Sequence, residues 1–182
     1  MKIKKIASIV SLGDPALRKV SDEIKVKDIQ GKETKKLIKD LVLALHNEHD
    51  GIGISAPQIA VNKRLFVVCH RLFTGTEKEK VEAKDLVFIN PKIIKSSKKT
   101  VVMEEGCLSI RGVYGDVKRP SNITLEAYNE AGEKITRGAG GLLARVIQHE
   151  IDHLNGILFI DKAIAIREVP PEVAQKDGRD EY

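Results

Sequence analysis

Tryptophan is absent from the 182-residue chain, which contains only three tyrosines and four phenylalanines. Proteins that bind single-stranded nucleic acid use aromatic side chains to stack the bases, so this composition argues against direct nucleic-acid binding. Apolar runs without charge are all too short to cross a bilayer, which excludes a membrane helix. The two cysteines, Cys69 and Cys107, could form one disulfide, but without an export signal a buried thiol or a metal ligand is the better interpretation of each.

Charge and length are those of an ordinary globular protein. The net charge is +5, and 42% of the residues are hydrophobic. The length allows one domain with a proper core. The basic, briefly apolar start imitates a signal peptide, but Gly13-Asp14-Pro15 interrupts it without a cleavage-like site. We therefore expect a cytoplasmic protein whose mild basic charge permits at most a transient association with the ribosome, and no membrane binding.

Hydrophobic periodicity predicts an α+β fold. Apolar residues recur at spacings of three and four over 33–50 and again from 141 to a helix end at Asn155-Gly156. Strand-like runs cover 64–69, 86–89, 92–94, 123–128, 134–136 and 157–160, with a hairpin turn between 128 and 134. We expect a single domain in which mixed or antiparallel strands pack around the second helix, which would bind a metal.

The strongest local pattern is the histidine pair His149 and His153, with Glu150 directly after the first. Residues i and i+4 lie on one face of a helix, so both imidazoles can bind one metal ion. Glu150 would lie beside that ion and accept a proton from a bound water. Two histidines packed in a core helix, without a metal, are the alternative interpretation.

A catalytic metal site needs a third protein ligand. The acidic candidates downstream are Asp161, Glu168 and Glu172. Upstream, Cys107 stands beside a glycine, where the backbone can approach a ligand closely; a buried structural thiol is the alternative, but ligation is the better interpretation beside two histidines. The remaining candidate ligands are interpreted as a core thiol, Cys69, and as surface side chains, His46, His49 and His70.

Three segments resemble, in order and spacing, the signature motifs of the peptide deformylase family. They are GIGISAPQ at 51–58, EGCLS at 105–109 and HEIDH at 149–153, and the opening LGDPALR at 12–18 is also similar. The resemblance covers about residues 9–162. It implies removal of the formyl group from the N-terminal methionine of nascent chains.

The resemblance also implies a metal site. Cys107, His149 and His153 would hold a divalent ion, with iron(II) expected in the native protein. The softness and geometry of these ligands suit zinc(II), nickel(II) or cobalt(II) as substitutes. A divalent ion held in this way lowers the pKa of a coordinated water.

The resemblance further implies how the reaction is catalysed. Glu150 would serve as the base and then as the acid that protonates the leaving amine. The side-chain amide of Gln58 and the backbone N–H of Leu108 would stabilise the oxyanion. Glu105 and Arg119 resemble a pair that braces the loop around Cys107, although a surface salt bridge is the alternative.

A methionine pocket follows from helix geometry beside the expected metal. Val146 and Leu142 lie three and seven residues before His149, so they share its face. Ile52 is the expected partner from the glycine-containing loop. Ordinary core packing is the alternative interpretation for each of these three side chains. Gly53, in the same loop, would let a peptide backbone pass closely.

The catalytic domain is expected over 1–166, followed by a flexible tail over 167–182. The tail has a net negative charge and contains Pro170-Pro171, unlike the basic C-terminal helix with which some family members dock on ribosomes. Arg111 stands where the family more often has proline, at the expected rim of the site.

Two other functions are compatible with the histidine pair. A zinc endoprotease would use a downstream carboxylate such as Glu168 as the third ligand. A metal-stabilised binding module would close its site with four protein ligands, for which Cys69 is the only spare thiol.

Overall fold

A computed structural model describes residues 6–74 and 84–169. Two α-helices, α1 (Lys32–His46) and α2 (Gly141–Leu154), are found in these ranges. The strands are β1 (Gly53–Ser55), β2 (Leu65–Val68), β3 (Leu86–Ser96), β4 (Thr100–Cys107), β5 (Ile110–Pro120), β6 (Asn122–Tyr128), β7 (Lys134–Gly140) and β8 (Ala163–Glu168).

The strands form two antiparallel sheets. The five-stranded sheet has the order β1-β2-β3-β6-β7, and the three-stranded sheet has the order β4-β5-β8. The predicted hairpin is confirmed as β6 and β7, which pair from Tyr128 with Lys134 to Asn122 with Gly140. The α+β, single-domain prediction is confirmed.

The two helices cover opposite faces of the five-stranded sheet, as the strand β2 shows. Leu65 and Val67 belong to the hydrophobic cluster beneath α1, whereas Phe66 and Val68 belong to the cluster beneath α2. Alternate residues of a strand point to opposite faces. The uninterrupted apolar run of β2 is therefore explained by burial on both faces.

The helix α2 connects the two sheets and ends sharply. Its side chains pack on the large sheet, and Arg145 donates hydrogen bonds to the Val117 and Val101 carbonyls of the small one. After Leu154, Gly156 adopts a left-handed φ of 72°, and a Cβ there would lie 2.5 Å from the carbonyl oxygen of Arg18. Glycine is favoured at this position because other residues pay a steric penalty.

Several sequence predictions of secondary structure are wrong in detail. The first helix ends at His46 rather than Asp50, and β3 continues through Asn90 as a bulged strand instead of dividing there. The run 157–160 is not a strand: Phe159–Asp161 is a 3-10 helix, in which the Asp161 carboxylate accepts a hydrogen bond from the backbone N–H of Leu158. A short buried apolar run does not distinguish these structures.

The strands β4, β5 and β8 are absent from the predictions. Charged residues interrupt their alternation, because much of the small sheet faces solvent. Arg167 and Glu168, which were assigned to the tail, pair with β5 as part of β8. Residues 170–182, for which flexibility was expected, lie outside the described residues. No helix within the described ranges is long and apolar enough to span a membrane.

Candidate metal centre

Cys107, His149 and His153 come together as the sequence predicts. The cysteine ends β4, and the two histidines lie one turn apart on α2. The Sγ of Cys107 is 3.2 Å from Nε2 of His153, and one donor atom from each of the three residues lies within 4.8 Å of the others. Two imidazole nitrogens and a sulfur are ligands that suit iron(II), zinc(II), cobalt(II) and nickel(II).

Both imidazoles are prepared for metal binding. The Nδ1 of His149 is 2.9 Å from the Glu105 carboxylate, so Nδ1–H donates to it and Nε2 is the nitrogen left for a metal. Burial lowers the pKa of His149, but hydrogen bonds with Cys107 and Glu105 outweigh it and raise the pKa to about 10, so a metal ion would displace the Nε2 proton. His153 is buried, and burial, reinforced by the charge of His149, holds the pKa of its imidazole well below the usual range. His153 is therefore neutral, which is the form that binds a metal.

Glu150 is buried beside these residues with an unused acceptor. Its side chain is on α2, the residue is 3% exposed, and its Oε2 has no hydrogen-bond partner among the residues that the structure describes. Burial raises the pKa of Glu150 to about 7, against the opposing charge of His149. A buried carboxylate oxygen without a partner is costly.

Gln58 is held at the site by its own side-chain oxygen. It lies in a short 3-10 helix, Ala56–Ile59, where Oε1 accepts hydrogen bonds from the backbone N–H and the hydroxyl of Ser55 at 2.9 and 3.0 Å. This arrangement directs the amide N–H donors of Gln58 towards the Cys107 sulfur, 3.5 Å away, and the Ser109 hydroxyl, 3.4 Å away.

A buried network of ion pairs contacts His149 through Glu105. Arg119 donates two hydrogen bonds to the Glu105 carboxylate at 2.6 and 2.8 Å and a third to Asp152 at 2.6 Å. Arg145 donates to the same Glu105 at 2.7 Å. Glu105 thus joins two arginines to His149. The surface salt bridge considered as the alternative for Glu105 and Arg119 is wrong, because both side chains are 4% exposed.

These partners keep the Glu105 carboxyl group ionised. Burial raises the pKa of a carboxyl group, but hydrogen bonds and charge from Arg119 and His149 outweigh it and hold the pKa of Glu105 well below its usual range. Arg145 and Asp152 were missed in the sequence. Arg145 could have been identified from its spacing, because it lies four residues before His149 on the same helical face.

A cleft of about 440 Å³ opens in front of the three candidate ligands. Its walls include the pocket residues expected from the sequence, namely Ile52, Gly53, Leu142 and Val146, and also Leu108. Val146 is buried, whereas Leu142 is 46% exposed and forms part of the rim. Arg111 also lines the cleft, and its guanidinium pairs with Glu48 at 2.7 Å.

The other proposed ligands are engaged elsewhere. Asp161 pairs with Arg18, and Glu168 pairs in β8 with Val113 of β5. Cys69 lies in a different group of metal-binding side chains. Glu172 lies outside the described residues. Within 6–74 and 84–169, no fourth cysteine, histidine or carboxylate joins the Cys107 group.

A sequence model described as polypeptide deformylase matches residues 6–168 of the chain. The chain belongs to the polypeptide deformylase family. A peptide deformylase from Prochlorococcus marinus (strain NATL1A) is 42% identical over 170 residues, covering 93% of this chain and 79% of the relative. The resemblance found in the sequence is thereby confirmed.

Solved peptide deformylase structures have the same fold. That from Thermotoga maritima superposes with a TM-score of 0.77 at 32% identity, covering 89% of this chain and all of that one. A Met-Ala-Ser-bound peptide deformylase from Acinetobacter baumannii gives 0.76 at 26% identity, covering 88% and 99%. The chain is thus a hydrolase of the peptide deformylase family. Members of this family are metalloenzymes that remove the formyl group from N-terminal formylmethionine.

Proposed function

We propose that Cys107, His149 and His153 hold one divalent metal ion and that Glu150 is the acid–base group of the deformylation reaction. The observation that carries this proposal is the convergence of three side chains that could hold a metal ion, directly beside the buried carboxyl group of Glu150 on the same helix. Iron(II) is the ion we propose for the native enzyme, with zinc(II), nickel(II) or cobalt(II) as substitutes. When bound, such an ion supplies Lewis acidity and lowers the pKa of a water molecule.

Glu150 moves the proton in this scheme. Its Oε2 accepts a proton from the attacking water and later returns it to the amine nitrogen that leaves. A raised pKa suits both roles, because a carboxyl group that titrates near the working pH can gain and lose a proton readily. Desolvation inside the helix–sheet interface is the physical origin of the raised pKa.

Gln58 and Leu108 stabilise the negative charge that develops on the formyl oxygen. The amide of Gln58 is fixed by Ser55, so its N–H donors need no reorientation during the reaction. The backbone N–H of Leu108, next to Cys107 at the wall of the cleft, is the second proposed donor. Fixed donors of this kind stabilise the transition state more than the substrate.

The methionine side chain of the substrate enters the apolar part of the cleft. Ile52, Leu142 and Val146 provide that surface, and Gly53 allows close approach of the peptide. The Met-Ala-Ser peptide bound to the Acinetobacter baumannii relative supports this assignment, since it is a deformylated sequence of the expected kind. Nascent formyl-methionyl peptides are therefore the proposed substrates.

We also propose a cytoplasmic location, since nascent formyl-methionyl chains emerge from ribosomes there. Association with the ribosome would be transient, in keeping with the mild net charge of +5. Direct binding to nucleic acid or to membranes is not expected.

The decisive experiment measures formate release from formyl-Met-Ala-Ser under anaerobic conditions with iron(II). The Glu150→Gln variant is compared with Glu130→Gln, which changes an exposed glutamate in the turn between β6 and β7. We expect formate from the wild type and from the control, with a loss of at least about 100-fold in the Glu150 variant. Full activity in Glu150→Gln would refute the assigned role, and a silent but folded, metal-bearing wild type would refute the function.

A further inference from the structure

A second group of metal-binding side chains lies outside the cleft. It consists of His46, Cys69, His70 and Asp85, each of which offers one donor atom within 4.8 Å of the others. The sequence interpretation placed the histidines on the surface and the cysteine in the core. The histidine side chains are indeed partly exposed, at 39% and 41%, but they converge with Cys69 and Asp85.

Three separate backbone segments bring this group together. His46 is the last residue of α1, Cys69 and His70 follow β2 directly, and Asp85 directly precedes β3. The β2–β3 pairing ends with Val68 opposite Leu86, so the next residues of the two strands emerge side by side. The arrangement is therefore fixed by the sheet register and by the packing of α1, not by a flexible loop.

The distances within the group are close to those of a coordination shell. Asp85 shares its two carboxylate oxygens between the histidines, at 2.7 Å from Nε2 of His46 and 2.8 Å from Nδ1 of His70. The Cys69 sulfur is 3.9 Å from the same nitrogen of His46. Ligand atoms around tetrahedral zinc are separated by roughly 3.3–3.8 Å, which follows from bond lengths of about 2.0–2.3 Å. A bound ion would replace the two hydrogen bonds of Asp85 and hold the four donor atoms, which already lie within 4.8 Å of one another, at that spacing.

Asp85 brings a negative charge to the group. Burial raises the pKa of Asp85, but hydrogen bonds from the backbone and ring of His70 and from His46 outweigh it and lower the pKa overall. Asp85 is thus a carboxylate. Arg71 donates from Nε to the Cys69 sulfur at 3.1 Å, which fixes the position of the sulfur beside the histidines. Its guanidinium is also held by the carbonyls of Glu48 and Gly51.

We propose that His46, Cys69, His70 and Asp85 form a second site, which binds a zinc-class divalent ion. Zinc accepts histidine nitrogen, cysteine sulfur and carboxylate oxygen, and four protein ligands complete a closed tetrahedral site, whereas the cleft offers three and leaves a position open. The ion would join the end of α1 to the start of β3. It would also stabilise the segment before β1, because Cys69 donates its backbone N–H to the carbonyl of Ile52.

The first test counts zinc. The full-length protein is equilibrated with excess zinc chloride and desalted, and bound zinc is measured by mass spectrometry. We expect the double variant His46→Asn/His70→Asn to hold about one equivalent less than the wild type. The control His49→Asn alters an exposed histidine three residues from the group and is expected to keep the wild-type content. Equal zinc in the double variant and the wild type overturns the proposal and leaves a hydrogen-bonded cluster.

The second test uses cobalt(II) and the fact that the chain has only two cysteines. In Cys107→Ser, any sulfur-to-cobalt charge-transfer absorption must come from Cys69. We expect this absorption on cobalt addition, and its loss when His46→Asn/His70→Asn is added. A folded Cys107→Ser protein, judged by circular dichroism, that lacks the absorption overturns the proposal. The zinc count decides the matter separately if this variant does not fold.

Discussion

Gly53 lies so close to Glu150 that no side chain fits between them. A Cβ on Gly53 would be 2.6 Å from Oε1 of Glu150 and 2.8 Å from Cγ1 of Val146. The sequence suggested this glycine as a place where a peptide backbone passes closely. The structure adds a second reason, which is that β1 must approach the helix that carries Glu150. The glycine therefore helps to fix the position of the carboxylate.

Gly53→Ala is expected to lower kcat/KM for formyl-Met-Ala-Ser by about 100-fold, because displacing a reacting group by even 1 Å has an effect of that order. Steady-state formate release measures this change. The matched control is Gly138→Ala in β7, where a Cβ would meet no atom within 4 Å. Similar activity in the two variants would show that the close contact at Gly53 is unimportant.

Gln58→Leu is expected to lower kcat by about 100- to 1,000-fold while metal content stays the same, since one oxyanion donor is lost. Activity and metal content are measured on the same sample. Gln30→Leu is the control, because Gln30 is exposed and donates only to the Ala131 carbonyl. A Gln58→Leu protein with lower metal content and unchanged activity per bound metal would instead assign Gln58 a structural role.

Glu105→Gln is expected to lower the free energy of unfolding by about 3 kcal/mol, because Arg145 loses its buried charge partner and Arg119 keeps only Asp152. It should also weaken metal binding by about 10- to 100-fold through the loss of the partner of His149. Denaturant unfolding and metal competition with a chelator measure the two effects.

The neighbouring Glu104 provides a control for that variant. Glu104 pairs with Arg167 on the surface, with 48% and 58% of the two side chains exposed. Such pairs are screened by solvent, so Glu104→Gln is expected to change stability by no more than about 0.5 kcal/mol. Equal destabilisation by both substitutions would contradict the buried network described for Glu105.

Leu142→Ala is expected to raise KM about 5-fold with little change in kcat, since the substrate methionine loses apolar contact without any change at the reacting groups. Initial rates over a range of formyl-Met-Ala-Ser concentrations separate the two constants. Ile164→Ala removes a more exposed residue from β8 and should leave both unchanged. A fall in kcat alone would argue against Leu142 as a wall of the methionine pocket.

Local periodicity and motif spacing were sufficient to locate both helices and to select the three candidate metal ligands. His149, Glu150 and His153 lie within five residues, so helical geometry alone determines that they are adjacent. Cys107 could be selected because it accompanies the histidine pair in a recognisable order of motifs. The hairpin β6–β7 was equally predictable, since its turn and its alternation of apolar and polar residues are local features of the sequence.

Charged residues in buried or sheet positions could not be placed in this way. Glu105 and Arg119 belong to strands that local hydrophobicity did not reveal, and their burial depends on the docking of the small sheet against α2. Asp152 could not be placed either, because its ion pair with Arg119 forms only in the folded chain. A charged side chain is buried only if its partners are present, and those partners are distant in sequence.

The sequence by itself determined the fold class, the family resemblance and the three candidate ligands, because each depends on residues a few positions apart or on a motif order. Only the tertiary structure shows that His46 and Cys69 lie beside Asp85. Their proximity depends on where α1 ends and on the register of β2 with β3. Contacts between segments tens of residues apart arise from packing and sheet register, which no local pattern specifies.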